Sequence, residues 1–183
     1  FPTEVEHKIK GREWVIPAVT IEDAPAYQWR GLMLDVARHF FPKEYILKTL
    51  DRMALLKLNV LHLHLVDNEG WRIEIKKYPK LTEVGAWRVD QEDKFWDERV
   101  PNDADAIAKG AKKYGGYYSQ EDIEEIVKYA SSRGITVVPE IEMPAHVMSA
   151  IAAYPELSCH KRPIGVPSGA VWPITDIYCA GQE

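Results

Sequence analysis

The sequence predicts a parallel α/β fold, and a barrel in preference to a doubly wound sheet. Three apolar runs of strand length, at 31–37, 60–66 and 135–141, alternate with two amphipathic helical stretches. Acidic residues stand at or just past the carboxyl end of each run: Asp35, Asp67, and Glu140 with Glu142. Parallel α/β folds build their sites at that end, and in a (β/α)8 barrel it is the active face. No glycine fingerprint follows any of the runs, which argues against a dinucleotide site.

Residues 1–25 read as a connector from a preceding domain, with edge-strand pieces at 14–17 and 21–25. The run Gly31-Leu32-Met33-Leu34-Asp35-Val36-Ala37 suits a strand buried on both faces. Pro42 and Lys43 then open a helix, where a proline near the first turn removes an N–H that has no partner anyway. Ile46, Leu50, Met53, Ala54 and Lys57 recur at helical spacing against a polar face of Lys48, Asp51 and Arg52. The run from Val60 to Val66 is the next buried strand.

Residues 67–118 mix Gly, Pro, Trp and charges without a sustained period. A stretch that long carries small elements of its own or a function. Ser119-Gln120-Glu121-Asp122 has the form of a capping box, and Ile123, Ile126, Val127 and Ala130 supply the apolar face of a second helix. Gly134 stands where a left-handed cap would end it. Pro139 cannot donate a ladder hydrogen bond, so it belongs at or near the end of the third strand. Residues 144–154 suggest a short helix, and the tail from Cys159 reads as loop.

The chain has 183 residues, 46% of them hydrophobic and 28% charged, the balance of an ordinary globular domain. No run of apolar residues is long enough to span a membrane. The start, Phe1-Pro2-Thr3-Glu4-Val5-Glu6, has no signal-peptide pattern and reads as the middle of something longer. The net charge is −5 with Lys and Arg scattered, so no basic footprint for nucleic acid is present. Cys159 and Cys179 both fall in loop-like sequence. They are either a loop-stapling disulfide, as an exported protein would carry, or two unrelated thiols. The compartment is left open, with secreted or periplasmic favoured.

His62 and His64 lie two apart on one strand and face the same way. They could share a divalent metal, but a hydrogen-bonded pair inside a barrel is preferred. Asp67, at a strand exit, could orient a substrate or an acid/base group, or simply cap the following turn. Trp71 offers a flat face to a sugar, though packing is the commoner use. Glu140 and Glu142 would repel side by side, raising one pKa unless a cation intervenes. Two carboxylates suggest glycosidase chemistry, yet these two are too close for an acid–nucleophile couple. His146 could relay a proton near neutral pH.

Taken together, four ordered blocks resemble glycoside hydrolase family 20, the β-N-acetylhexosaminidases. They run from Trp29 to Phe40 (Trp29-Arg30-Gly31-Leu32-Met33-Leu34-Asp35-Val36-Ala37-Arg38-His39-Phe40), from Leu58 to Arg72 (with His62-Leu63-His64-Leu65-Val66-Asp67-Asn68-Glu69-Gly70-Trp71-Arg72), from Tyr114 to Ile123 (opening Tyr114-Gly115-Gly116-Tyr117-Tyr118), and from Val138 to His146 (with Pro139-Glu140-Ile141-Glu142-Met143-Pro144-Ala145-His146). The resemblance implies that residues 26–183 are the N-terminal portion of a (β/α)8 catalytic domain, about its first three strand–helix units, ending before the fourth strand. It implies that Arg30 binds hydroxyls of the terminal sugar and that Asp67 and His146 support the general acid. Asp35, His62, His64, Glu140 and Glu142 then stand behind them, with no metal and no cofactor. Glu142 and Ala145 stand where the family often has Asp and Gly.

The family's central motif, His-x-Gly-Gly-Asp-Glu, occurs nowhere in these residues. Its Glu is the general acid, and its Asp orients the substrate's own acetamido group, which replaces the enzyme nucleophile. Both are expected beyond this chain, which alone should be inactive and have open sheet edges. The rest of the barrel would come from another chain or from self-association. The expected ligand is a glycan ending in N-acetylhexosamine. Two alternatives stand beside this reading: a non-catalytic glycan-binding or assembly module, and a metal-dependent barrel hydrolase using His62 and His64.

Overall fold

The structure, a computed structural model, describes residues 17–100, 103–169 and 176–181. Most of the expected connector, including the strand-like residues 14–16, lies outside the described residues. Residues 17–30 carry no regular element, so the strand piece expected at 21–25 does not form. Pro17 and Pro25 bracket this stretch, and neither can donate a ladder hydrogen bond.

In chain order, β1 (Gly31–Asp35) leads through α1 (Lys43–Leu55) to β2 (Val60–His64). A tight hairpin follows, β3 (Val66–Asp67) against β4 (Gly70–Trp71). The short α2 (Lys80–Glu83) precedes an antiparallel pair, β5 (Trp87–Val89) and β6 (Lys113–Gly115). These pieces fill the stretch in which the sequence shows no period. Next, α3 (Gln120–Ser131) leads to β7 (Thr136–Glu140), and α4 (Met148–Ala153) follows. β1, β2 and β7 form one parallel sheet with β2 in the middle.

The helix ends follow from local chemistry. Ser119 Oγ accepts from Asp122 N at 3.0 Å, and Asp122 Oδ2 accepts from Ser119 N at 3.0 Å, closing the capping box. Gly134 takes a φ of 68°, and Ile135 N returns to Ala130 O at 3.0 Å. At the end of α1, Leu58 N reaches Met53 O at 2.9 Å and Lys57 N reaches Ala54 O at 3.1 Å, a Schellman closure. Lys57 therefore leaves the apolar stripe expected of it. It has a φ of 57° and lies beyond the helix.

The parallel register sorts the sheet into two unlike faces. Leu32, Leu61 and Val137 line up on one, as do Leu34, Leu63 and Pro139. This face joins Ile46, Leu50 and Met53 of α1 and Ile126 and Ala130 of α3 in a single core. Leu61 and Leu63 are fully buried there, each worth roughly 1.5–3 kcal/mol. The opposite face carries Met33, His62 and Val138 in one row and Asp35, His64 and Glu140 in the next. Met33 is 54% exposed while His64 is 5% exposed, so among the described residues the Met33 row is left open and the next row is partly covered. β1 and β7 each have a single partner, so both sheet edges are open among the described residues.

Cys159 and Cys179 form a disulfide, deciding between the two readings of that pair. Beside it Cys179 N donates to Leu157 O at 2.9 Å, which ties the described tail to the turn that follows α4. Trp71 is 6% exposed and its Nε1 donates to Ile73 O, so it packs in the core rather than facing a sugar.

Candidate active site

The hairpin of β3 and β4 hangs at the carboxyl end of β2 and places Asp67 at the centre of a polar cluster. Asp67 is 1% exposed, and its two oxygens accept from four donors. Oδ2 receives His64 Nε2 at 2.9 Å and Arg38 Nη2 at 2.7 Å. Oδ1 receives Asn68 N at 2.6 Å and His146 Nδ1 at 3.1 Å. Burial pushes this carboxyl up, but the bonds from His64 and Asn68 and the charges of Arg38 and His146 outweigh it and hold it below its usual value.

His64 is spent on both sides. Its Nδ1 lies 2.7 Å from Glu140 Oε2, the same oxygen that His62 Nε2 approaches at 2.6 Å. With an ionised acceptor at each nitrogen, the ring carries both protons, and its pKa rises to about 9, chiefly through the bond to Asp67. The Arg38 Nη1 contact at 3.3 Å to His64 Nε2 is then only proximity. Glu140 is held low by the bond from His64, so the cation that the Glu140–Glu142 pair calls for is this imidazolium. Ligand atoms of His64, Glu140 and Glu142 lie within 4.8 Å of one another. An ion placed there would have to displace the protons that His62 and His64 give to Glu140, so the donor set is already engaged and fits a metal poorly.

His146 sits in the loop before α4 with a φ of 56°, a left-handed conformation that costs a non-glycine residue free energy. The loop is anchored by Ser149 Oγ on Asp67 O at 2.6 Å and by Met148 N on Asn68 Oδ1 at 3.3 Å. Since Asp67 accepts at Nδ1, the imidazole must keep its proton there, leaving Nε2 as the outward lone pair when neutral.

Arg30 does not join this cluster, and that expectation is corrected. Its Nε donates to Lys57 O at 2.6 Å and its Nη1 to Tyr27 O at 2.7 Å, while its backbone N donates to Asn59 Oδ1 at 2.9 Å. It precedes the first residue of β1, whereas the cluster lies past the last, about 16 Å of strand away. Arg38, three residues past β1, takes that place. Its Nη1 donates to Asp35 Oδ2 at 2.8 Å and its side chain is 37% exposed. The strand-end rule that singles out Asp67 applies equally to Asp35-Val36-Ala37-Arg38, and this signal was there to be read.

Sequence reasoning also missed Glu69, Arg72 and Arg88, which are 4%, 0% and 1% exposed. Among the described residues Arg72 has no carboxylate partner. It donates to the carbonyls of Val36 at 3.0 Å, Ala37 at 2.7 Å, Glu69 at 3.3 Å, Ala86 at 2.6 Å and Gly116 at 3.1 Å. Gly70 makes room for it, since a Cβ there would fall 2.2 Å from Arg72 Cζ. Arg88 Nη2 donates to Arg38 O at 2.9 Å. The two buried arginines thus hold the backbone that carries Arg38.

Linkage sets a pH dependence of stability. The folded value of His64, about 9, lies above its ordinary 6.5, so its contribution is complete below 6.5 and is lost as pH rises through 9. Glu69 is pushed up to about 7 from 4.5, first by burial and then by Asp67. The folded chain therefore holds that proton more tightly, and the benefit fades between 4.5 and 7. Asp67 and Glu140, held low, act oppositely, and their stabilisation is lost on acidification. We expect the melting temperature, followed by circular dichroism, to peak near about pH 5 and fall steadily towards about pH 9. A melting temperature that climbs across that alkaline range would contradict these assignments.

Comparison with known proteins identifies the family. The family model described as "Glycosyl hydrolase family 20, catalytic domain" matches residues 27–182. A β-hexosaminidase of Porphyromonas gingivalis is 46% identical over 169 residues, covering 92% of this chain and 19% of that protein. The N,N'-diacetylchitobiase of Vibrio harveyi is 48% identical over 142 residues, covering 75% of this chain and 15% of its own length. Among solved structures, a β-N-acetylhexosaminidase superposes with a TM-score of 0.72 at 38% identity, over 87% of this chain and 31% of that one. A Streptomyces plicatus β-hexosaminidase variant in complex with the product GlcNAc gives 0.71 at 37% identity, over 88% and 28%. The chain thus spans less than a third of each of these relatives.

Proposed function

The chain belongs to glycosyl hydrolase family 20, and on that premise we propose that it forms part of a β-N-acetylhexosaminidase that removes terminal N-acetylhexosamine from glycans. In this reading residues 1–25 are a connector, and residues 26–183 supply the first three strand–helix units of a (β/α)8 catalytic domain. The observation that carries it is the convergence of Arg38, Asp67 and His146 at the carboxyl end of a parallel sheet.

Arg38 presents donors to sugar hydroxyls, taking the role first assigned to Arg30. Asp67 fixes the His146 ring, whose Nε2 faces the general acid and tunes its proton affinity. That acid, and the carboxylate that turns the substrate's acetamido oxygen on to the anomeric carbon, come from a segment with the Gly-Gly-Asp-Glu run absent here. The glycosidic bond breaks as the acetamido oxygen bonds to carbon, and water then opens the cyclic intermediate with retention. Glu140 holds His64 and is itself bonded by His62, with Glu142 nearby, so these groups lie behind Asp67. The reading calls for no cofactor.

The full-length protein is expected to release p-nitrophenol from p-nitrophenyl N-acetylglucosaminide, and the 183-residue chain by itself to release none. The open edges and the open Met33 row should make the isolated chain run on size exclusion as an assembly larger than 20.9 kDa. Turnover by the chain alone would overturn the assignment of the acid to another segment. N-acetylglucosamine binding without turnover by the full-length protein would favour the non-catalytic glycan-binding reading.

A further inference from the structure

On the hexosaminidase reading Arg38 meets the sugar, and two of its five N–H donors are already engaged. Nη1 serves Asp35 and Nη2 serves Asp67. Nε faces Glu69 Oε2 across 3.5 Å, beyond the roughly 2.7–3.2 Å of a formed N–H···O bond. That oxygen is buried and has no hydrogen-bond partner among the described residues. A buried acceptor left unpaired is costly and calls for a reason.

Charged groups face Glu69 from every neighbouring element. Asp67 and Arg72 come from its own hairpin, and Arg38 from the loop after β1. Arg88 comes from β5, and its Nε is likewise buried and unpaired among the described residues. His64 of β2 and His146 of the loop before α4 act on Glu69 through Asp67.

We propose that Glu69 is a positioning residue for Arg38, whose protonation sets how freely the Arg38 fork can serve a sugar hydroxyl and so ties sugar affinity to pH. The proposal rests on the hexosaminidase reading. Burial and the Asp67 charge bring the Glu69 carboxyl to about 7, so both its forms are populated near neutrality. When neutral, Glu69 exerts little pull on Nε, and the fork stays against Asp35 and Asp67 with its remaining N–H groups towards solvent. When ionised, Glu69 draws Nε across the gap and turns the fork inwards. An incoming hydroxyl then competes with a second buried carboxylate for the same guanidinium.

The test is calorimetric binding of N-acetylglucosamine to the full-length protein between about pH 5.5 and 8.5. Kd should rise roughly threefold to tenfold over that range, the scale of one hydrogen bond, with a midpoint near 7. Glu69→Gln, neutral throughout, should keep the low-pH affinity across the range. A wild-type slope that survives in Glu69→Gln overturns the inference and assigns the pH dependence to the histidines. If Glu69→Gln loses its cooperative thermal transition, the Arg38 Nε–H resonance of the wild type decides. It should titrate with the same midpoint, and a resonance that does not move overturns the inference. No N-acetylglucosamine binding at any pH overturns the functional reading and this inference with it, a result distinct from binding with a surviving slope.

Discussion

Asp67→Asn in the full-length protein is expected to lower kcat by roughly 10²–10⁴-fold, the scale of a disabled acid–base group. The ionised carboxylate offers only acceptors, and all four of its contacts are donors: His64 and Arg38 on one oxygen, Asn68 N and His146 on the other. An amide must turn its NH2 towards one of those pairs. Facing His146, it opposes the Nδ1 proton and favours the tautomer whose proton points at the general acid. Facing His64 and Arg38, it opposes an imidazolium and a guanidinium and leaves both short of counter-charge. Neither flip preserves the network, so the loss should appear mainly in kcat while KM moves less. Activity within about threefold of wild type would remove Asp67 from the mechanism. Parallel denaturation curves are needed, because the same change strips partners from buried charges.

Arg72→Met should be the most destabilising single substitution in the described residues. Two effects compete. Burying a guanidinium is costly, and burial followed by the charge of Arg88 brings Arg72 down to about 10, so a hydrophobic replacement can in principle stabilise. That outcome requires the partners to be replaced as well. Here they are five backbone carbonyls, in the loop after β1, the β3–β4 turn, the lead into β5 and the end of β6. A thioether cannot donate to any of them. Ala86 O keeps Gly116 N and Glu69 O keeps Arg88 Nη1, both at 3.3 Å, so three carbonyls lose their donor. At about 1–3 kcal/mol for each, the loss is roughly 3–9 kcal/mol before any rescue by water. That is a large share of the roughly 5–15 kcal/mol that holds a domain folded. Arg72→Lys should recover only part of it, because three tetrahedral donors cannot match a planar fork. Urea unfolding of the full-length protein would check both variants, and a change below about 1 kcal/mol for Arg72→Met would show that the carbonyls find other donors.

What could be read along the chain was what local chemistry controls. The three strands, the two main helices, the Ser119 cap, the Gly134 stop and the short helix after His146 depend on near neighbours, and each signal lay within a few residues. So did the strand-end position of Asp67 and the shared face of His62 and His64. The small elements between 67 and 118 were not legible, because they take their order from partners far away. Tyr118 N bonds Arg72 O, and Asp90 N bonds Lys112 O. The pairing of Cys159 with Cys179 was likewise open until the fold brought the two loops together.

By itself, the sequence determined the family and the end of the sheet at which the site lies, because both are carried by contiguous motifs and by strand polarity. Only the tertiary structure decided which arginine reaches the site. Arg30 and Arg38 flank the same strand, but strand direction puts one on the Lys57 carbonyl and the other on Asp67. It also decided that Arg72 and Glu69 are buried, and that Glu140 shields two histidines with one oxygen. Burial and counter-charge arise from groups far apart in sequence, and only folding places them within a few ångströms of each other.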